Sequence, residues 1–376
     1  MTAMVCEGPG RPLRPEERPL PEPAPGEVLI EVLACGICRT DLHVVDGEVP
    51  ARYPVIPGHE IVGRVIGRGR DSGRFATGVV VGVPWLGGTC GSCSFCRSGR
   101  ENLCDAPTFT GATRDGGYAS HALADERFCL AMPETSDPAA TAPLLCAGLI
   151  GWRAYRMAGA ARRLGLYGFG AAAHILAQVA VAEGREVHAF TRAGDVAAQA
   201  FARSLGCAWA GDSETLPGEP LDAAILFAPV GSLVPAALAA VAKDGRVVCA
   251  GIHMSDIPAF PYALLWGERE VRSVASLTRE DGRSFLASAA LAAVHTHVER
   301  FPLSEANAAL DRLRQGTLEG AAVLVPEELG TLGNRGVGAE TFWTDVGLSF
   351  SRQIVRALRR PDQALFGLRH IRSRDG

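Results

Sequence analysis

Four closely spaced cysteines place the strongest constraint on how this chain can fold. The motif C-G-S-C-S-F-C and one further cysteine supply Cys90, Cys93, Cys96 and Cys104. Four thiolates at such spacing can close a tetrahedron around zinc without any other ligand. Because no coordination position is left open, we predict a structural zinc site whose metal binding is coupled to folding of the loop.

Three residues elsewhere indicate a second metal site of a different kind. Cys38 lies in C-G-I-C-R-T-D-L-H, His59 in P-G-H-E and Cys146 in L-L-C-A-G. Two cysteines and one histidine would leave the fourth position of a tetrahedral zinc open, as catalytic sites require. Taken singly, each residue could be an ordinary core thiol or a structural histidine. Together with the neighbouring motifs, they favour a catalytic zinc site.

A glycine-rich turn later in the chain predicts a dinucleotide site. Gly168, Gly170 and Ala173 form the motif G-x-G-x-x-A. The two glycines follow a predicted strand at 164–167, and Ala173 lies in the first turn of a predicted helix at 171–183. In this context the first glycine permits a tight turn, the second admits a pyrophosphate, and a small third residue lets helix and strand pack closely. The helix N-terminus then offers N–H groups to the anion. The alternative is an ordinary strand-to-helix turn.

The choice between NAD and NADP depends on the end of the next predicted strand, at 186–190. An acidic residue there would bind the ribose hydroxyls of NAD. This strand is instead followed by Thr191 and Arg192. A hydroxyl and a guanidinium suit a 2′-phosphate, so we predict NAD(P) binding with a preference for NADP. The alternative for Arg192 is a solvated side chain just past a strand.

Composition excludes several other classes of protein. The chain has 376 residues, of which 47% are hydrophobic, and its net charge of −4 gives no reason to expect a nucleic-acid partner. The N-terminus lacks the pattern of a signal peptide, and no apolar run is long enough for a membrane span. We therefore expect a cytoplasmic protein with a small-molecule substrate. In that compartment the eleven cysteines favour metal sites over disulfides.

The pattern of apolar residues changes along the chain and predicts an α/β fold. Residues 1–150 are rich in glycine, proline and short β-type runs, which indicates a β-rich catalytic domain with a zinc lobe. Over 151–290, strands alternate with helices, which is typical of a doubly wound parallel sheet. Residues 291–326 are expected to return to the first domain, with Ser304 capping a helix that runs to Gln315. Predicted strands are 28–33, 61–67, 79–83, 164–167, 186–190, 223–227, 246–250, 271–275 and 322–325, and a further helix is predicted at 197–205.

The last segment, 327–376, begins with a glycine-rich stretch over 330–338 and is predicted to be an atypical extension. Apolar residues recur there every four positions among arginines. Three interpretations stay open: an amphipathic helix on an anionic surface, a helix at a subunit interface, or a disordered extension.

Over about residues 20–326 the motifs occur in the order typical of the zinc-dependent medium-chain alcohol dehydrogenases, which the chain resembles. The resemblance implies a GroES-like catalytic domain and a Rossmann domain. It also implies two zinc ions per chain, one catalytic and one structural, reversible oxidation of a primary or secondary alcohol to an aldehyde or ketone, and a homodimer or homotetramer. By position, Cys38, His59 and Cys146 match the catalytic zinc ligands, and Glu60 matches a residue beside the metal.

The same resemblance assigns roles around that metal. Thr40 matches the hydroxyl that takes the alcohol proton, and His43 matches the group that passes it to solvent. Arg39 matches a contact to the cofactor pyrophosphate, Asp41 a partner that orients the ligand histidine, and Trp85 a wall of the substrate pocket. Cys35, despite its spacing from Cys38, is not a ligand in this alignment and is expected to be a small packed residue.

The same residues are compatible with two alternative functions. One is a non-catalytic NADP-binding sensor or interaction protein on the same scaffold. Complete ligands at all three catalytic positions argue against it, because a sensor does not need an open zinc. The other keeps the fold and changes the substrate, giving a polyol or aromatic-alcohol dehydrogenase.

Overall fold

The computed structural model describes residues 1–133, 136–318 and 320–326, and the predicted extension lies outside this range. No helix within it is long and apolar enough to cross a bilayer. The strands are β1 (Thr2–Val5), β2 (Arg14–Glu17), β3 (Glu27–Ile37), β4 (Glu60–Arg68), β5 (Val80–Val83), β6 (Leu86–Gly88), β7 (Thr108–Phe109), β8 (His121–Asp125), β9 (Leu130–Ala131), β10 (Arg163–Tyr167), β11 (Glu186–Thr191), β12 (Trp209–Asp212), β13 (Leu221–Leu226), β14 (Val241–Cys249), β15 (Glu270–Ser273), β16 (Val298–Pro302) and β17 (Ala321–Val325).

The helices lie mostly between the later strands. They are α1 (Arg39–Asp46), α2 (Ser94–Arg97), α3 (Pro138–Thr141), α4 (Ala147–Ala158), α5 (Ala171–Ala182), α6 (Val196–Ser204), α7 (Leu233–Ala240), α8 (Tyr262–Leu265), α9 (Arg279–Leu291) and α10 (Ala306–Gln315). Short 3-10 turns occur at Glu101–Leu103, Ala142–Leu145 and Leu303–Glu305.

The first sheet holds the early strands together with the last two of the described chain. Its order is β16-β17-β3-β4-β5-β9, and β8 also pairs with β3. The long strand β3 alternates half-buried and buried residues near its start and is buried throughout its end, so its last residues lie in the core. Because β3 runs directly into Cys38 and α1, the strand places the predicted metal ligand at the end of the sheet.

The second sheet is parallel throughout, which confirms the predicted doubly wound α/β fold. Its order is β12-β11-β10-β13-β14-β15. The strands β11 and β12 are added on one side of β10, and β13, β14 and β15 on its other side. The strand order therefore reverses between β10 and β13, and a crevice opens at the carboxyl ends of these two strands. The predicted glycine-rich turn follows β10 and therefore lies at this crevice.

One predicted helix start was wrong. Ser304 does not cap a helix, because it lies inside the 3-10 turn Leu303–Glu305, and α10 begins at Ala306 with Glu305 as its N-cap. Sequence reasoning also missed α1 and the β1–β2 hairpin. The domain boundaries at 150, 290 and 326 stay predictions.

A buried carboxylate joins two helices behind the second sheet. Asp281, near the start of α9, accepts hydrogen bonds from the backbone and hydroxyl of Thr278, its N-cap residue. It also forms ion pairs with Arg153 and Arg156 of α4, at 2.7 and 3.1 Å. Burial raises the pKa of Asp281, but the bonds from Thr278 and Arg153 outweigh it and lower the pKa overall. Asp281 therefore stays ionised and ties α9 to α4.

Replacing Asp281 tests this link. We expect Asp281→Ala to lower the free energy of unfolding by about 2 kcal/mol, because α9 loses its capping box and two arginines lose their partner. The measurement is the midpoint of urea unfolding. The control is Asp311→Ala, which removes an exposed carboxylate paired with Arg314 and should change stability by less than about 0.5 kcal/mol. Equal midpoints for the two variants would contradict the argument.

Candidate functional site

The three predicted ligands of the open metal site converge at one point. Cys38 caps the N-terminus of α1, His59 directly precedes β4, and Cys146 lies between a 3-10 turn and α4. The Sγ atom of Cys38 lies 3.3 Å from Nε2 of His59 and 3.8 Å from Sγ of Cys146. With a carboxylate oxygen of Glu60, these atoms all lie within 4.8 Å of one another. The donor set of thiols, imidazole and carboxylate is one that zinc prefers.

Asp41 orients this group of side chains. Its Oδ2 accepts a 2.8 Å hydrogen bond from the backbone N–H of Cys38, which closes the capping box of α1. Its Oδ1 lies 3.0 Å from Nδ1 of His59 and 3.2 Å from the backbone nitrogen of Gly58. Because the buried carboxylate holds Nδ1, Nε2 of His59 is left facing the two sulfurs.

Glu60 brings a buried carboxylate with one unpartnered oxygen to the same point. Its Oε2 is buried and has no hydrogen-bond partner in the part of the chain that the structure describes. The carboxylate packs on Gly36 so closely that a Cβ there would lie 1.8 Å from Oε2. Burial raises the pKa of Glu60 well above its usual range. A divalent cation among the four side chains would satisfy this carboxylate, so the site fits a metal.

The thiol of Cys38 is also a buried ionisable group that a bound cation would stabilise in its charged form. A hydrogen bond with Cys146 and burial raise its pKa well above the usual value. Burial also raises the pKa of Cys146, although its hydrogen bond with Cys38 acts in the opposite direction. Thiolates are the ligand form of cysteine, so a cation at this point would offset the cost of ionising both groups.

Cys35 has the packing role that the sequence suggested. It is fully buried and does not belong to the group of metal-ligating atoms. Its Sγ packs on Gly58, where an added Cβ would lie 2.8 Å from the sulfur and 2.3 Å from the ring of Tyr118. Gly58 also has a φ of +97°, which side chains other than glycine rarely adopt. Gly36, Gly58 and Tyr118 were not predicted as site residues, because no ligand pattern in the sequence marks them.

The four cysteines of the lobe also come together. The Sγ atom of Cys90 lies 3.5 Å from that of Cys104 and 3.9 Å from that of Cys96. With Cys93, the four sulfurs lie within 4.8 Å of one another. Backbone N–H groups of Ser92 and Cys93 donate to Cys90 and lower its pKa to about 6. Burial acts in the opposite direction at Cys96 and raises its pKa to about 11. The loop therefore favours the thiolate form at Cys90, which is the ligand form of cysteine.

The predicted proton path lies on α1. Thr40 and His43 are three residues apart on the helix, so they lie on the same side of it. Thr40 is buried, and the Nε2 atom of His43 is buried without a partner among the described residues. The other ring nitrogen, Nδ1, is hydrogen-bonded to Glu48. Sequence reasoning missed Glu48, which follows the end of α1 and belongs to no motif.

Trp85 lies against the ligand histidine. Its ring centroid is 5.0 Å from that of His59 in an edge-on arrangement. It stacks on Phe109 at the same centroid distance. Trp85 is half-buried, and its ring lies beside the group of metal-ligating side chains.

The glycine-rich turn has the backbone geometry that a pyrophosphate needs. Gly168 has a φ of +86°, and an added Cβ would lie 2.8 Å from the backbone nitrogen and Cβ of Ala228. A Cβ at Gly170 would meet no atom within 4 Å, so this face of the turn is open. Gly170 is the N-cap of α5 and provides no side-chain cap, so the first N–H groups of the helix stay available. Ala173 is fully buried, as close packing of α5 requires.

The residues predicted to select the cofactor differ in accessibility. Thr191 is buried, and its hydroxyl donates to the carbonyls of Arg192 and Gly211 and accepts from Gln199. Arg192 is exposed, and its guanidinium forms no ion pair with any described residue. Arg39, the first residue of α1, is exposed as well. Of the pair at the end of β11, only Arg192 has a free polar group.

Comparison with known proteins identifies the family. The model of the alcohol dehydrogenase GroES-like domain matches residues 24–134. The protein named "Probable alcohol dehydrogenase AdhA" of Mycobacterium tuberculosis is 47% identical over 315 residues, which cover 81% of this chain and 90% of that protein.

Solved structures agree with this family. The cobalt- and zinc-bound thermostable alcohol dehydrogenase of Pyrobaculum aerophilum is 26% identical with a TM-score of 0.77, and the match covers 87% of this chain and 99% of that one. A protein of Sinorhizobium meliloti bound to NADP is also 26% identical with a TM-score of 0.77, over 86% and 99% of the two chains. The chain therefore belongs to the zinc-dependent medium-chain alcohol dehydrogenases, and it is an NAD(P)-dependent enzyme with a GroES-like part and a Rossmann-type parallel sheet.

Proposed function

We propose that this alcohol dehydrogenase works with two zinc ions per chain, one catalytic and one structural, and prefers NADP. Cys38, His59 and Cys146 would hold the catalytic ion beside Glu60, and Cys90, Cys93, Cys96 and Cys104 the structural one. The observation that carries the catalytic assignment is the buried Oε2 of Glu60, which has no hydrogen-bond partner among the described residues and lies with three further ligand side chains. When bound there, zinc lowers the pKa of a hydroxyl group and polarises a carbonyl, which assists oxidation and reduction respectively.

The side chains of α1 then handle the proton that alcohol oxidation releases. The buried hydroxyl of Thr40 is the group that would receive it nearest the substrate. The unpartnered Nε2 of His43 lies on the same side of the helix and would take it next. Imidazole suits this step because it exchanges protons near neutral pH.

The cofactor would lie across the crevice of the parallel sheet. Gly168 and Gly170 leave room for its pyrophosphate at the N-terminus of α5, with Ala173 packing behind them and Arg39 approaching from α1. The free guanidinium of Arg192 at the end of β11 supports the preference for NADP. Thr191 contributes less than the sequence suggested, because its hydroxyl is engaged within the protein.

The substrate is a small molecule whether the enzyme acts on simple alcohols or on polyols and aromatic alcohols. Trp85 beside His59 narrows the approach to the metal, which favours slender alcohols over bulky aromatic ones. A non-catalytic sensor on this scaffold does not account for a complete open ligand set. A polyol or aromatic-alcohol dehydrogenase differs only in the pocket and is decided by a panel of substrates.

We further propose that the chain forms a homodimer, or a homotetramer built from it. The outer strand β15 leaves one edge of the parallel sheet unpaired within the described part of the chain. Val271 on this strand and Ile257 and Trp266 beside it are exposed apolar side chains. An edge of this kind is a template for pairing with a second copy.

The zinc assignment predicts selective metal loss. We expect Cys146→Ala to retain one zinc per chain instead of two and to lose turnover, because it removes a ligand of the catalytic ion only. Cys93→Ala should also lose one zinc, from the lobe. Metal content measured by mass spectrometry checks both, and Cys207→Ala, a buried cysteine outside both groups, is the control that should keep two. Two zinc ions in Cys146→Ala would contradict the assignment.

The cofactor assignment predicts a change in one Michaelis constant. Arg192→Ala should raise the KM for NADPH by about tenfold and leave the KM for NADH nearly unchanged, because only NADPH carries the 2′-phosphate that a guanidinium binds. Initial rates of aldehyde reduction with each cofactor measure this. The control is Arg162→Ala, an exposed arginine near the opposite ends of the strands. A parallel change with both cofactors would count against a phosphate contact.

The dimer proposal is tested by mass in solution. We expect the wild-type protein to have the mass of at least two chains in light scattering, and Val271→Asp to shift it toward one chain, because a charge on the strand edge opposes pairing. Leu20→Asp, at an exposed apolar residue far along the sequence from β15, is the matched control. A wild-type monomer at micromolar concentration would rule the proposal out.

A further inference from the structure

We propose that Glu48 is a positioning residue for His43 and the place where the proton leaves for solvent. This inference rests on the proton path proposed above, and it adds a residue that neither the motifs nor the family resemblance assign. The cluster that carries it consists of Glu48, His43 and His253, none of which belongs to either group of metal-ligating side chains.

The backbone after α1 places Glu48 beside His43. The helix ends at Asp46, and Gly47 follows with a φ of +79°. A Cβ at Gly47 would lie 2.7 Å from that of Pro9, so the turn is tightly packed as well as left-handed. The backbone N–H of Glu48 then donates a 2.8 Å hydrogen bond to the carbonyl of His43. The chain therefore folds back on the last turn of the helix and presents the carboxylate to the imidazole.

The two nitrogens of His43 have opposite environments. Nδ1 is hydrogen-bonded to Oε2 of Glu48, whereas Nε2 is buried and has no partner among the described residues. The side chain of His43 is 13% exposed and that of Glu48 is 56% exposed. An ionised carboxylate only accepts hydrogen bonds, so Nδ1 must carry the proton in the neutral ring. Nε2, facing the interior, is then the basic nitrogen.

The other charged groups around the pair keep the carboxylate ionised. The hydrogen bond with His43 is the largest cause that lowers the pKa of Glu48, and the charges of His253 and Arg39 lower it further. His253 follows β14, and its ring centroid lies 4.7 Å from that of His43. The imidazole of His43 is thus fixed by Glu48 at one edge and covered by His253 on one side.

The proton balance of the step is simple. Alcohol oxidation releases one proton, which passes through Thr40 and forms a new N–H bond at Nε2 of His43. The N–H bond at Nδ1 then breaks as its proton moves to Oε2 of Glu48, and the exposed carboxyl group gives it to water or to a buffer base. The neutral ring then carries its proton on Nε2. Rotation of the ring by half a turn about the Cβ–Cγ bond turns this N–H toward Glu48 and the unprotonated nitrogen toward the interior, so the ring is ready for the next turnover. No oxidant or reductant is needed beyond the nicotinamide cofactor of the established reaction.

The contact could also be an ordinary surface pair between histidine and glutamate with no role in proton transfer. Kinetic measurements distinguish this pair from a proton exit. We would measure single-turnover alcohol oxidation by the absorbance of the reduced cofactor, at low and at high imidazole concentration. Glu48→Ala should slow this step by about tenfold in dilute buffer without changing the KM for alcohol. Added imidazole should restore the rate, because an external base can accept the proton that the carboxylate of Glu48 no longer accepts. Glu48→Gln, which keeps the size of the side chain, should show the same buffer dependence if Glu48→Ala does not fold.

Two further variants separate the role of Glu48 from the proton path through Thr40 and His43. Asp46→Asn removes a carboxylate at the end of the same helix, where it pairs with Arg314, and should behave as wild type. His43→Gln should be slow and rescued by imidazole. If His43→Gln is slow and both Glu48 variants are fast and independent of buffer, the role of Glu48 is wrong and the proton path stands. If His43→Gln is also fast and independent of buffer, the proton path itself is wrong.

Discussion

The hydrogen bonds of one buried carboxylate, Asp41, hold together the elements on which the metal site depends. Through Oδ2 it closes the capping box at the start of α1, and through Oδ1 it fixes the ring of His59 and the backbone at Gly58. The start of the helix and the direction of the ligand are therefore set by the same group. Since α1 also carries Thr40 and His43, a shift of this carboxylate would move the proposed metal ligands and the side chains of the proposed proton path together.

Much of the fold could be predicted because its local patterns agree with its tertiary structure. The apolar pattern predicted β10, α5, β11, α6, β13 and β14 of the parallel sheet and its helices, and the structure places the glycine-rich turn at the crevice. The strand β12 and the helix α7 were not predicted. The helix α10 begins later than its capping serine suggested, because a 3-10 turn precedes it. The helix α1 was missed because its first turn is capped by Cys38 and Asp41, residues that the sequence offers as metal-site residues.

In the candidate site, residues that belong to a sequence motif could be predicted, and residues outside any motif could not. Cysteine spacing and P-G-H-E mark the cysteines and the histidine that converge in the structure, so these two groups of side chains could be predicted from the sequence. Gly36 and Tyr118 are not marked, since their roles follow from which atoms touch in the folded core. Thr191 shows the opposite error: a hydroxyl at the right position in the sequence is directed to backbone carbonyls rather than to the crevice. Only side-chain orientation, which spacing does not encode, separates it from Arg192.

The zinc lobe is joined to the parallel-sheet side of the molecule by polar contacts. Glu101 pairs with Arg279 at the start of α9, and the amide of Asn102 donates to the carbonyl of Ala275. Both residues belong to the 3-10 turn between the third and fourth cysteines of the lobe. A metal bound by the four cysteines would therefore be thermodynamically linked to the docking of α9, so this site would stabilise a contact between parts of the chain that lie far apart in sequence.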